Sequence, residues 1–480
     1  MDAPAKPSLL RRLLGSIARA RPGDLPRAAV RDARRTIWLC HALLSERGDV
    51  SGARLAREAL AAYQELEDAA LGVFFDLLVK EFSPDPQEVG RAADTYRQDP
   101  SQASLIRLQQ AVEPRRQELF RRLNMVAGGT AVLLEMRRRV LSLVGERPHY
   151  AGIDADLAHL FSSWFNRGFL VLQRIDWRTS ALVLEKLIKY EAVHAIQGWP
   201  DLRRRLQADR RCYAFFHPVL PDEPVIFIEV ALTRGVSTRV QPLLDLHSAI
   251  TDPALADCAI FYSITNCQEG LRGVSFGNLL IKQVAAELGR EFPRLKTFAT
   301  LSPVPGFRTW LSGKAARYPD LAEWLARIEA PGWQQDRQAA GELQRQLIRL
   351  CAHYLLYAKQ GRDPLDPVAR FHLGNGARLE RLNWLGDTSD SGMRRSAGLM
   401  VNYVYRLDEV ERNHEAYARD GRIVAARRFE VLARESLIAR RDAAASTPSA
   451  SHRSTAAPSA WAHTNLQVEA QTLTAAPRRP

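Results

Sequence analysis

The chain has 480 residues and a formal net charge of +13, with 67 lysines and arginines against 54 aspartates and glutamates. This length predicts about two or three domains, and the hydrophobic fraction of 46% is ordinary for a globular protein with a sizeable core. No apolar run approaches the ~18–20 residues needed to cross a bilayer, which excludes a membrane-spanning protein.

The positive charge and the cysteines narrow the classes of partner and site. A basic surface attracts polyanions, so nucleic acid, anionic membrane and phosphorylated cofactors all remain possible partners. The same charge is expected if the arginines only solvate exposed helix faces.

No CxxC pair is present, which argues against a zinc site, and the odd cysteine count and wide spacing favour a reducing compartment. The cysteines are Cys40, Cys212, Cys258, Cys267 and Cys351.

The N-terminal part of the chain is predicted to be helical. Residues 1–25 form an arginine-rich, somewhat amphipathic extension that lacks the apolar core of a secretory signal and is compatible with a mitochondrial presequence. Residues 26–207 repeat apolar side chains at three- and four-residue intervals, for example over 51–82 and 179–196. Proline and glycine separate these stretches, so we expect an all-α bundle over 26–207.

Short β-branched and aromatic runs replace this pattern after about Asp209. The predicted strands are 225–232, 259–264 and 295–300. A helix over 278–292 lies between the second and third strands and makes a βαβ-like unit with them. We expect a mixed α/β domain over 208–440, with another long helix near 336–360. A disordered tail rich in alanine, serine, threonine and proline is expected over 441–480.

The turn before the predicted helix 278–292 contains Gly270, Gly273 and Gly277. Glycine permits close backbone approach, and the free N–H groups of a following helix attract an anion, so this loop is a candidate pyrophosphate cradle. Arg272 would add a charge-assisted contact. An ordinary glycine-rich turn has the same composition, and neither a Walker A lysine nor a dinucleotide acidic residue is placed here. The spacing from Arg272 to Gly277 resembles the CoA loop of the GNAT acetyltransferase superfamily, with Ser275 in place of the middle glycine.

A second segment matches the same superfamily. Asp366 and Pro367 are typical helix-start residues, a glycine pair ends the helix by Gly376, and 377–384 is predicted as a strand. GNAT acetyltransferases carry a similar helix whose tyrosine protonates the leaving CoA sulfur, and His372 stands in its place here. Imidazole suits general-acid chemistry; an isolated histidine here would simply cap its helix.

Long stretches of the chain resemble the malonyl-CoA decarboxylase family. Together they cover roughly residues 150–430. They are WFNRGFLVLQRIDW (164–177), YEAVHAIQGWPDLRRRL (190–206), HPVLPDEPVIFIEVALT (217–233), LRGVSFGNLLIKQV (271–284), LKTFATLSPVPGF (295–307), DPVARFHLGNGARLERLNWLGD (366–387) and GLMVNYVYRL (398–407).

The resemblance implies an α+β protein: an N-terminal all-α helical bundle that self-associates as a dimer or tetramer, then a GNAT-like mixed α/β catalytic domain. It implies malonyl-CoA as substrate and no metal, biotin or other cofactor. Catalytic roles fall on Ser302, His372 and Tyr405, and some family members carry a glutamate where Ser275 stands. The implied malonyl-CoA contacts are Arg272, Gly273, Val274, Ser275, Phe276, Gly277 and Asn278, with Ser302 and His372.

The function expected from this resemblance is decarboxylation of malonyl-CoA to acetyl-CoA and CO2. In the hypothesis, Ser302 orients the malonyl carboxylate and His372 polarises the thioester carbonyl or protonates the enolate. A CoA-dependent GNAT acyltransferase is the alternative, and it would need an acyl acceptor. We expect no membrane partner. We also expect no nucleic-acid partner, because the arginine-rich stretches show no pattern typical of a nucleic-acid recognition module. The arginine- and alanine-rich composition suggests a bacterial cytoplasm.

Overall fold

The computed structural model describes residues 26–274, 280–330 and 332–446. The expected extension 1–25 and the tail from residue 447 lie outside the described residues. So do Ser275, Phe276, Gly277 and Asn278 of the predicted CoA loop.

The N-terminal region consists of helices, as the apolar periodicity predicted. Large apolar side chains such as Phe75, Leu78, Phe120 and Leu133 are fully buried between them. The helices are α1 (Arg27–Ser45), α2 (Asp49–Gln64), α3 (Asp68–Phe82), α4 (Pro86–Gln98), α5 (Gln102–Val112), α6 (Arg115–Asn124), α7 (Gly129–Leu143) and α8 (Ala151–Trp164).

Helices α4 and α5 form a hairpin that packs mainly on itself. Asp85 caps the start of α4, and Ser101 caps the start of α5. No side chain of α4 is buried in the described structure, and in α5 only Ser104 is. Isolated helices of this length are marginal in water, because helix stability comes mostly from packing an apolar face.

One large sheet organises the rest of the described chain. Its strand order is β1-β2-β3-β4-β5-β10-β6, and β9 pairs with β10. The strands are β1 (Val171–Ile175), β2 (Arg210–Phe216), β3 (Pro224–Thr233), β4 (Cys258–Asn266), β5 (Thr297–Thr300), β6 (Ser302–Pro303), β7 (Lys359–Gln360), β8 (Asp363–Pro364), β9 (Arg378–Asn383) and β10 (Met400–Tyr405). β7 and β8 form a separate two-stranded ribbon.

The predicted strands 225–232, 259–264 and 295–300 correspond to β3, β4 and β5. β4 and β5 are parallel, which confirms the predicted βαβ unit. β1 differs from expectation, because it lies within the stretch 26–207 that was predicted to be helical throughout. Its five residues form an exposed edge strand held by antiparallel pairing with β2, a long-range contact that local periodicity does not reveal.

Helices cover the sheet and supply the remaining core. The described part of the helix predicted over 278–292 buries Ile281, Ala285 and Leu288, the face read from the sequence. The helices are α9 (Ala181–Tyr190), α10 (Trp199–Arg205), α11 (Gln241–Leu244), α12 (Leu280–Glu291), α13 (Phe307–Ala315), α14 (Pro319–Glu329), α15 (Arg337–Tyr357), α16 (Pro367–Gly374), α17 (Asp390–Ser396), α18 (Val410–Asp420), α19 (Arg427–Arg434) and α20 (Leu437–Ser446). α20 continues helix into the first six residues of the expected tail.

Among the described residues, no helix is both long and apolar enough to cross a bilayer. All five cysteines are buried and unpaired. No group of histidine, cysteine, aspartate and glutamate side chains in the described ranges is arranged to hold a metal ion.

Candidate active site

A cavity of about 210 Å³ opens where β4 and β5 separate. The two strands pair up to Phe261 and Thr300. Beyond that point β4 continues alongside β3, whereas the chain after β5 turns toward β10, where Ser302 pairs with Val401. The first turns of α16 close the cavity from the other side. Its lining includes Phe261, Ile264, Asn266, Ser302, Val368 and His372.

The structure brings the three predicted catalytic side chains into one hydrogen-bonded chain. The Ser302 hydroxyl lies 3.0 Å from His372 Nε2, and His372 Nδ1 lies 2.7 Å from the Tyr405 phenol oxygen. The Ser302 hydroxyl also donates to Thr300 Oγ1 at 2.8 Å. All four residues are buried. Thr300 was missed by sequence reasoning, because a buried threonine at a strand end is ordinary β structure.

Burial sets the protonation of His372. The aromatic ring of Tyr403 stacks on the imidazole with 4.5 Å between ring centroids. Desolvation by burial lowers the pKa of His372 to about 3, so the imidazole is neutral at neutral pH. Burial likewise raises the pKa of the Tyr405 phenol, which therefore keeps its proton. Imidazole titrates near neutrality in water, and enclosure within the fold shifts the pKa of His372 away from that range.

The hydrogen-bond directions assign the imidazole tautomer. A hydroxyl has one proton to donate, and that of Ser302 goes to Thr300. His372 Nε2 therefore donates to Ser302 Oγ, and Nδ1 accepts from the Tyr405 hydroxyl. The site therefore holds a neutral imidazole with its proton on Nε2, the nitrogen that faces Ser302 beside the cavity.

The helix that carries His372 is anchored at both ends. The Asp366 carboxylate caps its start by accepting from Val368 N at 3.0 Å and Ala369 N at 2.9 Å, and the Tyr354 hydroxyl donates to the same carboxylate. Burial raises the pKa of Asp366, although these hydrogen bonds oppose the shift. At the helix end, the backbone carbonyl of His372 accepts from Ala377 N. The imidazole is thus free for the site and does not act as the helix cap.

The described part of the glycine loop is anchored on the helical region. Gly270 lies in a short 3-10 turn, and a Cβ there would clash with the carbonyl oxygen of Leu134 on α7. The guanidinium of Arg137 donates to the Gly270 carbonyl at 2.7 Å. Arg272 is exposed, and Gly273 has a positive φ of 79°. The first glycine of the loop is therefore explained by close contact with α7, a role that the pyrophosphate interpretation did not anticipate.

Two other polar residues near the predicted motifs have structural roles. The Asp387 carboxylate accepts from Gln241 Nε2 at 2.9 Å and from the backbone N–H of Ser389, so it stabilises a turn. His217 Nε2 lies 2.9 Å from the Trp164 carbonyl oxygen, within hydrogen-bonding distance, at the junction of the helical region and the sheet.

Glu191 is a further residue near the site that the sequence did not single out. Its buried carboxylate accepts from Ser263 Oγ at 2.8 Å and from the backbone N–H groups of Val193 and His194. Val193 lines the cavity. Glu191 therefore holds the segment that forms one cavity wall.

Comparison with family models gives two adjacent matches. The model described as the malonyl-CoA decarboxylase N-terminal domain matches residues 82–165, and the model of the C-terminal domain matches residues 168–443. The interval between them falls between α8 and β1.

Similar proteins cover most of the chain. A protein of Anser anser anser named "Malonyl-CoA decarboxylase, mitochondrial" is 35% identical over 378 residues, 71% of this chain and 75% of that protein. A Rattus norvegicus protein of the same name is 37% identical over 342 residues, 65% of this chain and 69% of that protein.

Two solved bacterial structures have the same overall fold. The crystal structure of malonyl-CoA decarboxylase from Rhodopseudomonas palustris has a TM-score of 0.80 and 50% identity, covering 83% of this chain and 99% of that one. The structure from Agrobacterium vitis has a TM-score of 0.76 and 49% identity, covering 82% of this chain and 98% of that one.

Proposed function

This chain belongs to the malonyl-CoA decarboxylase family, and from this premise we propose that it is a carboxy-lyase converting malonyl-CoA to acetyl-CoA and CO2 in the cavity between β4 and β5. The observation that carries the assignment of the site is the hydrogen-bonded chain of Ser302, His372 and Tyr405 beside that cavity.

Decarboxylation of a malonyl thioester breaks a carbon–carbon bond and leaves its electron pair on the thioester as an enolate. Because the thioester carbonyl accepts that pair, the proposed reaction uses no metal or organic cofactor. The site must orient the carboxylate, stabilise the charge that develops on oxygen, and deliver one proton to carbon. Stabilising developing charge is usually the largest single contribution to catalysis.

Ser302 is proposed to orient the carboxylate. Its hydroxyl would donate to the malonyl carboxylate and hold it perpendicular to the thioester plane, where the breaking bond overlaps the carbonyl π system. In the free site this proton goes to Thr300 at 2.8 Å. Rotation about the Cβ–Oγ bond redirects it to the substrate while Oγ continues to accept from His372 Nε2.

His372 is proposed to protonate the enolate carbon through Nε2–H, which turns from Ser302 Oγ to that carbon once CO2 has left. A thioester enolate is a far stronger base than an imidazolate, so a neutral imidazole is acid enough for this step. As the Nε2–H bond breaks, the Tyr405 hydroxyl is placed at 2.7 Å to pass its proton to Nδ1. Solvent then reprotonates Nε2, and the proton on Nδ1 returns to the tyrosinate. This restores the starting tautomer and balances the one proton consumed for each CO2 released.

The CoA moiety is proposed to lie on the loop 272–278, with its diphosphate at the start of α12. The support is position: β4 ends at the cavity with Asn266, and the loop leads from there to the helix. Helix N-termini favour anions. Ser275 stands where some family members carry a glutamate, so a role of that glutamate has no counterpart at this position.

Self-association through the helical region, as a dimer or tetramer, is also proposed. Its support is the hairpin α4–α5, whose apolar side chains Ile106 and Val112 are 44% and 45% exposed in the single chain.

For the location we propose the cytoplasm of a bacterial cell. The alternative is that residues 1–25 target the protein to another compartment. Fractionation of cells that express the full chain distinguishes the two.

The experiment that tests the activity uses purified protein and malonyl-CoA with no acyl acceptor. We expect acetyl-CoA and CO2 in equal amounts. Chromatography of the CoA esters measures the acetyl-CoA, and trapping measures the CO2. A CoA-dependent acyltransferase would leave malonyl-CoA intact until an acceptor is added. Intact malonyl-CoA after prolonged incubation with folded protein would refute the proposed function.

A further inference from the structure

Thr300 is the fourth member of the hydrogen-bonded chain, although its side chain does not line the cavity. It is fully buried at the end of β5. Its hydroxyl oxygen accepts from the Ser302 hydroxyl at 2.8 Å and from the backbone N–H of Tyr403 at 3.2 Å. Both lone pairs of this oxygen are therefore occupied.

The position of that hydroxyl is determined by an interruption of the sheet. β10 pairs with β5 and with β6, but the ladder is interrupted between them at Thr300 and Leu301. Across this break the Tyr403 N–H bonds to the Thr300 side chain, and the Thr300 carbonyl accepts from Asn402 Nδ2 at 2.7 Å. Asn402 is itself held by Asn383 at 2.8 Å. Thr300 is thus fixed at its carbonyl and at its hydroxyl.

The bond from Ser302 to Thr300 has a consequence for His372. While the Ser302 proton points at Thr300, the lone pairs of Ser302 Oγ face His372, and Nε2 must carry the imidazole proton. Without an acceptor at position 300, the Ser302 proton has Nε2 as its nearest alternative. The imidazole proton would then move to Nδ1, toward Tyr405, and the nitrogen beside the cavity would have no proton to deliver.

We propose that Thr300 is a positioning residue of the decarboxylation, whose hydroxyl directs the Ser302 hydroxyl and thereby keeps the proton of His372 on Nε2 before substrate arrives. This inference rests on the proposed function of Ser302 and His372. Thr300, although outside the cavity, would thus determine whether His372 carries its proton on Nε2, where it can reach the substrate, or on Nδ1, where it cannot.

A purely structural role for Thr300 predicts something different. Threonine is favoured in strands, and loss of a buried hydroxyl costs stability wherever it occurs. Such a role would lower the melting temperature without changing the imidazole tautomer. Two measurements therefore distinguish the positioning role from a purely structural role: the imidazole tautomer of His372, and the recovery of activity when serine replaces Thr300.

The kinetic test compares Thr300→Val, which keeps the shape and removes the hydroxyl, with Thr300→Ser, which keeps the hydroxyl. We expect Thr300→Val to lower kcat ~100-fold with KM changed less than about threefold, in the range typical of lost partners that orient a histidine. Thr300→Ser should retain kcat within about threefold. Thr36→Val, a buried threonine of α1 that bonds the Asp32 carbonyl, is the matched control and should keep wild-type kcat.

The spectroscopic test begins with the tautomer of the wild-type protein, which can overturn the proposal even if the Thr300→Val variant does not fold. Long-range ¹H–¹⁵N spectra of uniformly labelled wild-type protein distinguish protonated from unprotonated imidazole nitrogens, and His372→Gln assigns the signal. We expect Nε2 protonated and Nδ1 unprotonated in wild type, and the reverse in Thr300→Val. An Nδ1-protonated wild type, a Thr300→Val variant with wild-type kcat, or a Thr300→Ser variant as impaired as valine would each overturn the proposal. Wild-type turnover of malonyl-CoA, measured first, keeps these outcomes separate from failure of the proposed function.

Discussion

The guanidinium of Arg137, on a helix of the N-terminal region, donates to the carbonyl of Gly270 at 2.7 Å, and this bond joins the helical region to the loop that follows β4. Arg137 is itself buried and paired with Asp154 at 2.8 Å. The turn that leads toward the proposed CoA loop is therefore built on the helical region as well as on the sheet.

Gly270→Ala tests this contact. The added Cβ would meet the Leu134 carbonyl oxygen, which is backbone and cannot rotate away, so the turn must shift. We expect KM for malonyl-CoA to rise ~10-fold with a smaller change in kcat. Gly52→Ala is the control, because open space surrounds that helical position; it should stabilise the protein by ~0.5–1 kcal/mol through helix propensity and leave KM unchanged. Equal KM values for both variants would contradict the proposed anchoring.

Ser302→Ala and His372→Gln should separate chemistry from binding. Each removes a polar group beside the cavity but leaves the loop that would hold the CoA moiety. We expect kcat to fall ~100-fold or more, the usual effect of removing one such group, with the CoA dissociation constant unchanged in calorimetry. Wild-type turnover in both purified variants would remove these residues from the mechanism.

Arg272→Ala should act on affinity. Arg272 is exposed in the free protein, so its substitution leaves the core intact. Loss of one charge-assisted contact to a phosphate predicts a CoA dissociation constant raised by ~10-fold, with kcat at saturating substrate little changed. Arg290→Ala, an exposed arginine at the far end of α12, is the control. An unchanged dissociation constant in Arg272→Ala would place the diphosphate elsewhere.

The buried imidazole predicts a dependence of stability on pH. The pKa of His372 is lowered from 6.5 to about 3 in the folded protein, so the unfolded chain binds this proton first as pH falls. The contribution is therefore present above pH 6.5 and is lost as pH falls toward 3, at up to ~1.4 kcal/mol per pH unit. Denaturant unfolding between pH 7 and 4.5 should show a shallower pH slope for His372→Gln than for wild type. Identical slopes would mean that the imidazole is solvated.

The hairpin α4–α5 should control the size of the assembly. Ile106→Asp places a charge on its exposed apolar side. If the hairpin packs against another copy, light scattering should show a smaller species with unchanged helix content by circular dichroism. Val219→Asp changes an equally exposed apolar residue in the turn after β2 and should leave the mass unchanged. An Ile106→Asp protein of wild-type mass would exclude the hairpin as the contact.

The sequence predicted the elements around the site because their signals are local. The run at 259–264 predicted β4, and the start signal Asp366-Pro367 with the glycines after it predicted α16. The resemblance to a family then singled out Ser302, His372 and Tyr405, and the structure brings all three together. Periodicity, capping residues and motif spacing each involve only a few neighbouring residues, so they can be recognised in the sequence without knowledge of the tertiary structure.

The tertiary structure alone decided how these residues are used. Ser302 and His372 are 70 positions apart in the chain, and their hydrogen bond exists only once β6 and α16 meet. Thr300, the contact of Gly270 with α7, and the edge strand β1 all depend on such distant pairings. The neutral state of His372 has the same origin, since desolvation is a property of the folded surroundings and is not carried by the residue itself.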